Sequence, residues 1–139
     1  MAFSANPSCY LAIPTDDQFA PVRQAVLEAL NELNVEPVEE SDASRGSSPR
    51  EALERADFVI ADVTGSSRWV LYELGAANAL RKPVLIVSQE HSDVPSELSK
   101  MQVILYNLQQ IRELGEYVSY WIRTTLRAQR NRYVPIVNM

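Results

Sequence analysis

The stretch "ADVTGSSRWVLYELGAANAL", Ala61 to Leu80, places two acids where acids are costly. At about 100° per residue from Arg68 onward, Glu73 falls in one arc with Trp69, Val70, Leu74, Ala76, Ala77 and Leu80, whereas Arg68, Asn78 and Lys82 lie on the far side. An acid on the apolar side of a helix must be hydrogen-bonded, protonated or set in a pocket that a ligand fills, because an unpaired buried carboxylate costs several kcal/mol. In the first two turns of its helix it also feels the favourable end of the macrodipole, which helps to keep it ionised. Those are the conditions a carboxylate nucleophile needs. Spacing alone leaves a second reading open: Glu73 snorkels out of the core, or pairs with a loop arginine such as Arg45 or Arg50.

Asp62 ends the apolar run "FVIAD", where an aspartate can receive sugar hydroxyls; the alternative is a turn bond to Thr64, Gly65 or Ser66. The Tyr10 hydroxyl, near the strand end, can hold Glu73 in place, or Tyr10 serves only as a strand aromatic. Ser66 or Ser67 caps the helix, and the neighbouring backbone N–H groups can meet a phosphate or sugar oxygen. Arg45 in "SRGSS" can clamp an anion, or belong to a solvated connection. His91 stands in a surface loop without assigned chemistry. Cys9 reads as a small core residue with no histidine nearby in sequence, and Tyr117, Tyr120 and Trp121 read as packing.

The elements that would position these residues alternate. "CYLAIP", Cys9 to Pro14, is a short apolar run stopped by proline. "FAPVRQAVLEALNEL" repeats Val22, Val26, Leu30 and Leu33 at helical spacing, with Pro21 suited to the first turn. "VEPV", Val35 to Val38, is a weaker strand whose proline predicts a place near a sheet edge. A polar loop leads to a short helix starting around Ser48 and Pro49 and running through Ala56. "FVIAD" and "PVLIVS" (Pro83 to Ser88) flank the helix from Arg68 to Leu80, and their continuous apolar character is that of strands covered on both faces. "VILY", Val103 to Tyr106, is a fifth strand, and a last helix runs from about Leu108 to Arg130. The pattern predicts one α/β domain: a doubly wound parallel sheet of flavodoxin-like order 2-1-3-4-5, with helices on both faces. In such sheets ligands lie beyond the carboxyl ends of the strands where the order reverses. Tyr10 through Pro14 and Asp62 through Ser67 are therefore expected to converge on one pocket walled by the helix of Glu73.

With 139 residues, 46% of them hydrophobic, the chain can bury a real core. A net charge of -5 with acids and bases interspersed gives no basic face for a nucleic-acid polymer. One cysteine and one histidine rule out an intrachain disulfide and a four-ligand Cys/His zinc site. There is no signal-like opening, and no apolar run approaches the roughly 20 residues that span a bilayer. The expectation is a soluble, cytoplasmic protein with no membrane contact and no metal.

At these residues the chain resembles the nucleoside 2-deoxyribosyltransferase superfamily, which includes the 2'-deoxynucleoside 5'-monophosphate N-glycosidases. "YLAIP" is similar to the opening strand of that family, and "ADFVIADVTGSSRWVLYELGAANALRKPVLIV" to its core signature. The resemblance implies that Glu73 is the nucleophile at the anomeric carbon, that Tyr10 orients it, and that Asp62 is the acid beside the sugar. Ser67 corresponds to an aspartate in the transferases and to a phosphate-contacting serine in the monophosphate N-glycosidases. Pro14, Thr64, Gly65 and Ser66 would complete the substrate site with Arg45. The family's phosphate loop after the first strand is replaced here by the acidic "TDDQF". The activity implied is hydrolysis or transfer at the N-glycosidic bond of a nucleoside or nucleotide, without a cofactor, in a homodimer or larger homo-oligomer. Two other classes share the layout: a TIR-like domain that cleaves NAD or binds a nucleotide signal, and a non-catalytic nucleotide-binding module.

Overall fold

The structure, a computed structural model, describes residues 6–39, 49–98 and 101–132. Five strands form one parallel sheet: β1 Ser8–Ala12, β2 Glu36–Val38, β3 Phe58–Asp62, β4 Val84–Ser88 and β5 Gln102–Leu105. Their order is β2-β1-β3-β4-β5, as the alternation of apolar runs predicts. Among the described residues four α-helices connect and cover them: α1 Ala20–Glu32, α2 Arg50–Arg55, α3 Arg68–Ala79 and α4 Ile111–Arg132.

The sequence explains where each element stops. β1 ends at Ala12, short of Pro14, whose ring removes a ladder donor. Pro37 is tolerated in β2 because that strand is the sheet edge, paired only with β1 through Ser8↔Glu36, Cys9↔Pro37 and Tyr10↔Val38. β3 and β4 are buried at every residue, the state their unbroken apolar runs require. α4 starts later than its periodicity predicts, because a tight turn over Leu108–Gln110 comes first, with the Asn107 side chain accepting the Gln109 N–H at 2.9 Å.

Alternate strand residues feed two cores. Cys9, Leu11, Phe58, Ile60, Leu85 and Val87 pack under α1 and α4, where Phe58 meets Trp121 edge-on at 5.6 Å. Tyr10, Ala12, Val59, Ala61, Val84 and Ile86 pack under α2 and α3 with Val70, Leu74 and Ala77. Trp121 is core as expected, but Tyr117 and Tyr120 are not: they are 56% and 67% exposed, because Leu114, Val118 and Ile122 already fill the buried stripe of α4. Cys9 is enclosed, and burial pushes its thiol well above the ordinary range, as an inert core thiol requires. The loop of Arg45 and the apolar tail from Tyr133 to Val137 lie outside the described residues.

No described helix is long and apolar enough to cross a membrane. Among the described residues no cluster of three or more His, Cys, Asp or Glu side chains could hold a metal ion.

Candidate active site

The order of the sheet reverses between β1 and β3, and the segments leaving their carboxyl ends part there to open a cleft of about 690 Å³. One wall comes from the segment after β1 and the start of α1: Ile13, Pro14, Thr15, Asp16, Phe19 and Arg23. The other comes from the β3–α3 turn and α3 itself: Thr64, Gly65, Ser67, Trp69, Val70 and Glu73. Glu39, just after β2, closes the rim.

Glu73 reaches this cleft because α3 lies over β1 and β3 with Val70, Leu74 and Ala77 turned into the sheet, which carries Glu73 inward on the same stripe. Its residue is only 3% exposed, yet it borders the cleft. The hydroxyl of Tyr10, wholly buried in the middle of β1, donates to Glu73 Oε2. That bond links residues 63 apart in sequence and holds the carboxylate in place. Arg50, one of the arginines the sequence offers as a partner for Glu73, pairs with Glu54 at 2.6 Å, one helical turn along α2.

Asp62 is placed differently. Strand alternation turns it to the α1/α4 face with Phe58 and Ile60, and it is fully enclosed. It is not among the residues that line the cleft. Its Oδ2 accepts the Tyr106 hydroxyl at 2.6 Å and its Oδ1 accepts the Thr64 N–H at 2.9 Å. This is the turn-bonding role that the sequence leaves open beside sugar binding. Burial holds the Asp62 carboxyl above its ordinary range, opposed by the hydrogen bonds from Tyr106 and Thr64. Burial and the neighbouring Asp62 together push the Tyr106 phenol up. The network extends to Gln89, whose N–H donates to Thr64 Oγ1 at 2.9 Å.

The turn between β3 and α3 is bent through Gly65 at φ 78 and Ser66 at φ 54, the left-handed region that glycine enters freely and serine rarely does. Its N–H groups are already engaged: Thr64 with Asp62, Ser66 with the Val63 carbonyl at 2.9 Å, and Gly65 with Asp93 Oδ2 at 2.8 Å. Ser66 also donates its hydroxyl to Asp93 at 3.4 Å and is absent from the cleft wall. Asp93 thus takes up the Gly65 N–H and the Ser66 hydroxyl of this turn. Ser67 caps α3 by accepting the Val70 N–H at 3.4 Å, and it does line the cleft. The structure therefore brings Pro14, Thr64, Gly65, Ser67 and Glu73 together around one space, with Tyr10 behind Glu73, while Asp62 and Ser66 brace the turn from outside it.

Four contributors escape the sequence. Arg23 donates to the Ile13 and Pro14 carbonyls at 2.9 and 3.0 Å and pairs with Glu39, so it ties the β1 exit to the β2 exit; burial lowers its pKa. Nothing in its spacing marks it. Tyr106 and Asp93 follow β5 and β4, and the strand-end rule that singles out Asp62 applies to them equally. Trp69 shares the arc of Glu73 one turn earlier, which was a usable signal for a cleft residue.

No protein-family model matches this sequence, and no curated protein matches it. Solved structures do resemble it in fold. A CMP N-glycosidase of Clostridium botulinum superimposes with TM-score 0.61 at 19% identity over 79% of this chain and 98% of that one. A 2-deoxyribosyltransferase of Bacillus psychrosaccharolyticus gives TM-score 0.56 at 19% identity, over 76% and 90% of the two chains. A diflavin flavoprotein of Nostoc sp. gives 0.66 at 14% identity, over 94% and 100%. At such identities the likeness is one of fold, and this fold hosts unlike chemistries, so function has to be argued from the site.

Proposed function

We propose that the protein breaks the N-glycosidic bond of a nucleoside or nucleotide, with Glu73 as the nucleophile. The observation that carries this reading is a carboxylate only 3% exposed, aimed by the Tyr10 hydroxyl, that borders a ligand-sized cleft at the reversal point of the sheet. The fold likeness to an N-glycosidase and a deoxyribosyltransferase agrees with it.

In this mechanism a Glu73 oxygen bonds to the anomeric carbon of the sugar as the bond from that carbon to the base nitrogen breaks. The base leaves with the bonding electron pair and takes up a proton from solvent in the open cleft. Water, or a second base, then attacks the same carbon and returns the carboxylate, so that hydrolysis and transfer differ only in the second acceptor. Tyr10 keeps the carboxylate in attacking position. Pro14, Thr64, Gly65 and Ser67 form the walls against which the sugar rests, and Asp62 is a positioning residue that holds the Thr64 turn.

The test is turnover of Glu73→Gln and Glu73→Ala on a panel of 2'-deoxynucleosides, their 5'-monophosphates and NAD, followed by release of free base. A loss of about a thousandfold or more on whichever substrate the unaltered chain cleaves is the expected result. Unchanged release of base by Glu73→Ala would overturn the assignment, and cleavage of NAD alone would move the substrate to the dinucleotide class.

A further inference from the structure

The cleft contains a large aromatic side chain that the mechanism does not use. Trp69 lines it one helical turn before Glu73 and is 41% exposed, beside the buried stripe of Val70, Leu74 and Ala77 on α3. We infer that Trp69 is the surface on which a planar heteroaromatic ring of the ligand stacks, beside the carboxylate that meets the sugar. The inference rests on the function proposed above and specifies which end of the ligand lies where.

Three features point this way. Residues four apart on a helix have Cβ atoms about 5–6 Å from each other, and their side chains lean toward the helix N-terminus, so the Glu73 carboxylate extends toward the turn that carries Trp69. In a nucleoside the aromatic ring is bonded directly to the anomeric carbon. A sugar seated at Glu73 with its base directed along α3 toward the helix N-terminus therefore lays that base on the indole. The opposite wall adds two apolar side chains, Ile13 and Phe19, among the polar residues Thr15, Asp16 and Arg23. The Tyr72 ring, three residues on, packs against the indole at 5.3 Å and 52°. A flat π-face held this way accepts purines and pyrimidines alike, because stacking does not read the ring edge.

The two tryptophans make the inference measurable. Trp121 is 8% exposed and packed against Phe58, so only Trp69 is open to quenching by a ligand in the cleft. The full chain is titrated with 2'-deoxyadenosine, 2'-deoxycytidine and 2-deoxyribose, following tryptophan fluorescence and calorimetric affinity, in a Glu73→Gln background that removes turnover. Both nucleosides are expected to quench saturably. Trp69→Leu should lose the quench and weaken nucleoside binding about tenfold or more, Trp69→Phe should weaken it by a few-fold at most, and neither should change deoxyribose affinity. Nucleoside affinity unchanged in Trp69→Leu, a quench that survives that substitution, or no binding of either nucleoside would overturn the inference. Release of base with an unaltered KM in Trp69→Leu defeats the stacking assignment alone. Stacking that depends on Trp69, with no base released by the unaltered chain, leaves it standing and defeats the glycosidase reading alone.

Discussion

Among the described residues two acids are buried, Asp62 at the end of β3 and Glu73 on α3, each receiving a tyrosine hydroxyl, and their surroundings differ. Asp62 accepts from Tyr106 and from the Thr64 N–H, is fully enclosed and does not touch the cleft. Glu73 accepts from Tyr10, is nearly as enclosed, and forms part of the cleft wall. The similar chemistry of the two pairs means that burial and a tyrosine donor do not by themselves tell which carboxylate borders the cleft. What separates them is whether space for a ligand remains beside the carboxylate. Asp62 spends its oxygens on the turn that shapes the cleft, while Glu73 faces the space that this turn encloses.

Several substitutions would sharpen or break that contrast. The largest divergence is expected between Asp62→Ala and Glu73→Gln. The first takes away the acceptor of the Thr64 N–H and of the buried Tyr106 hydroxyl and should cost about 3 kcal/mol or more in urea unfolding. The second should cost less than about 1 kcal/mol while abolishing turnover, as expected where a residue is kept for chemistry rather than stability. Equal stability losses would dissolve the distinction. Next come the two tyrosines. Tyr106→Phe should lower stability by about 1–3 kcal/mol and leave turnover of the folded protein nearly intact, whereas Tyr10→Phe should lower turnover by about a hundredfold through a misaimed carboxylate.

A smaller effect concerns pH. Burial raises the folded-state pKa of Asp62 above its unfolded value, so the stability this group contributes is fully present below the unfolded value and is lost as pH rises through the raised one. Asp62→Asn removes that titration. The stability of the wild-type chain relative to this variant should therefore fall between acid and neutral pH, and a flat or rising difference in denaturation midpoints would contradict the assigned cause. The smallest effect is expected at Asp93→Ala, which removes an exposed bond to the Gly65 N–H and should cost about 0.5–1.5 kcal/mol or less. The same change should improve relative affinity for 5'-monophosphates by freeing that N–H, measured against the matching nucleosides.

Much of the architecture was readable from local pattern. Continuous apolar runs at Phe58 to Ala61 and Val84 to Val87 read as strands covered on both faces, and the proline in "VEPV" points to a place near an edge, as the sheet has them. The inward face of Glu73 follows from helical period alone. The same reasoning fails at Tyr117 and Tyr120, where helical spacing admits two stripes and only packing against the sheet selects one. It also leaves Asp62 undecided, because both of its roles begin from the same strand end.

By itself, then, the sequence determined the order of elements, the sheet edge and the side of α3 on which an acid lies, since each follows from periods of two or 3.6 residues acting over a few positions. Which acid opens onto a cleft was decided only in three dimensions. The Tyr106 hydroxyl reaches Asp62 across 44 positions, Asp93 reaches Gly65 across 28, and Tyr10 reaches Glu73 across 63. No local period encodes such meetings, because they exist only once the parallel strands have been laid side by side and their carboxyl ends brought to one edge.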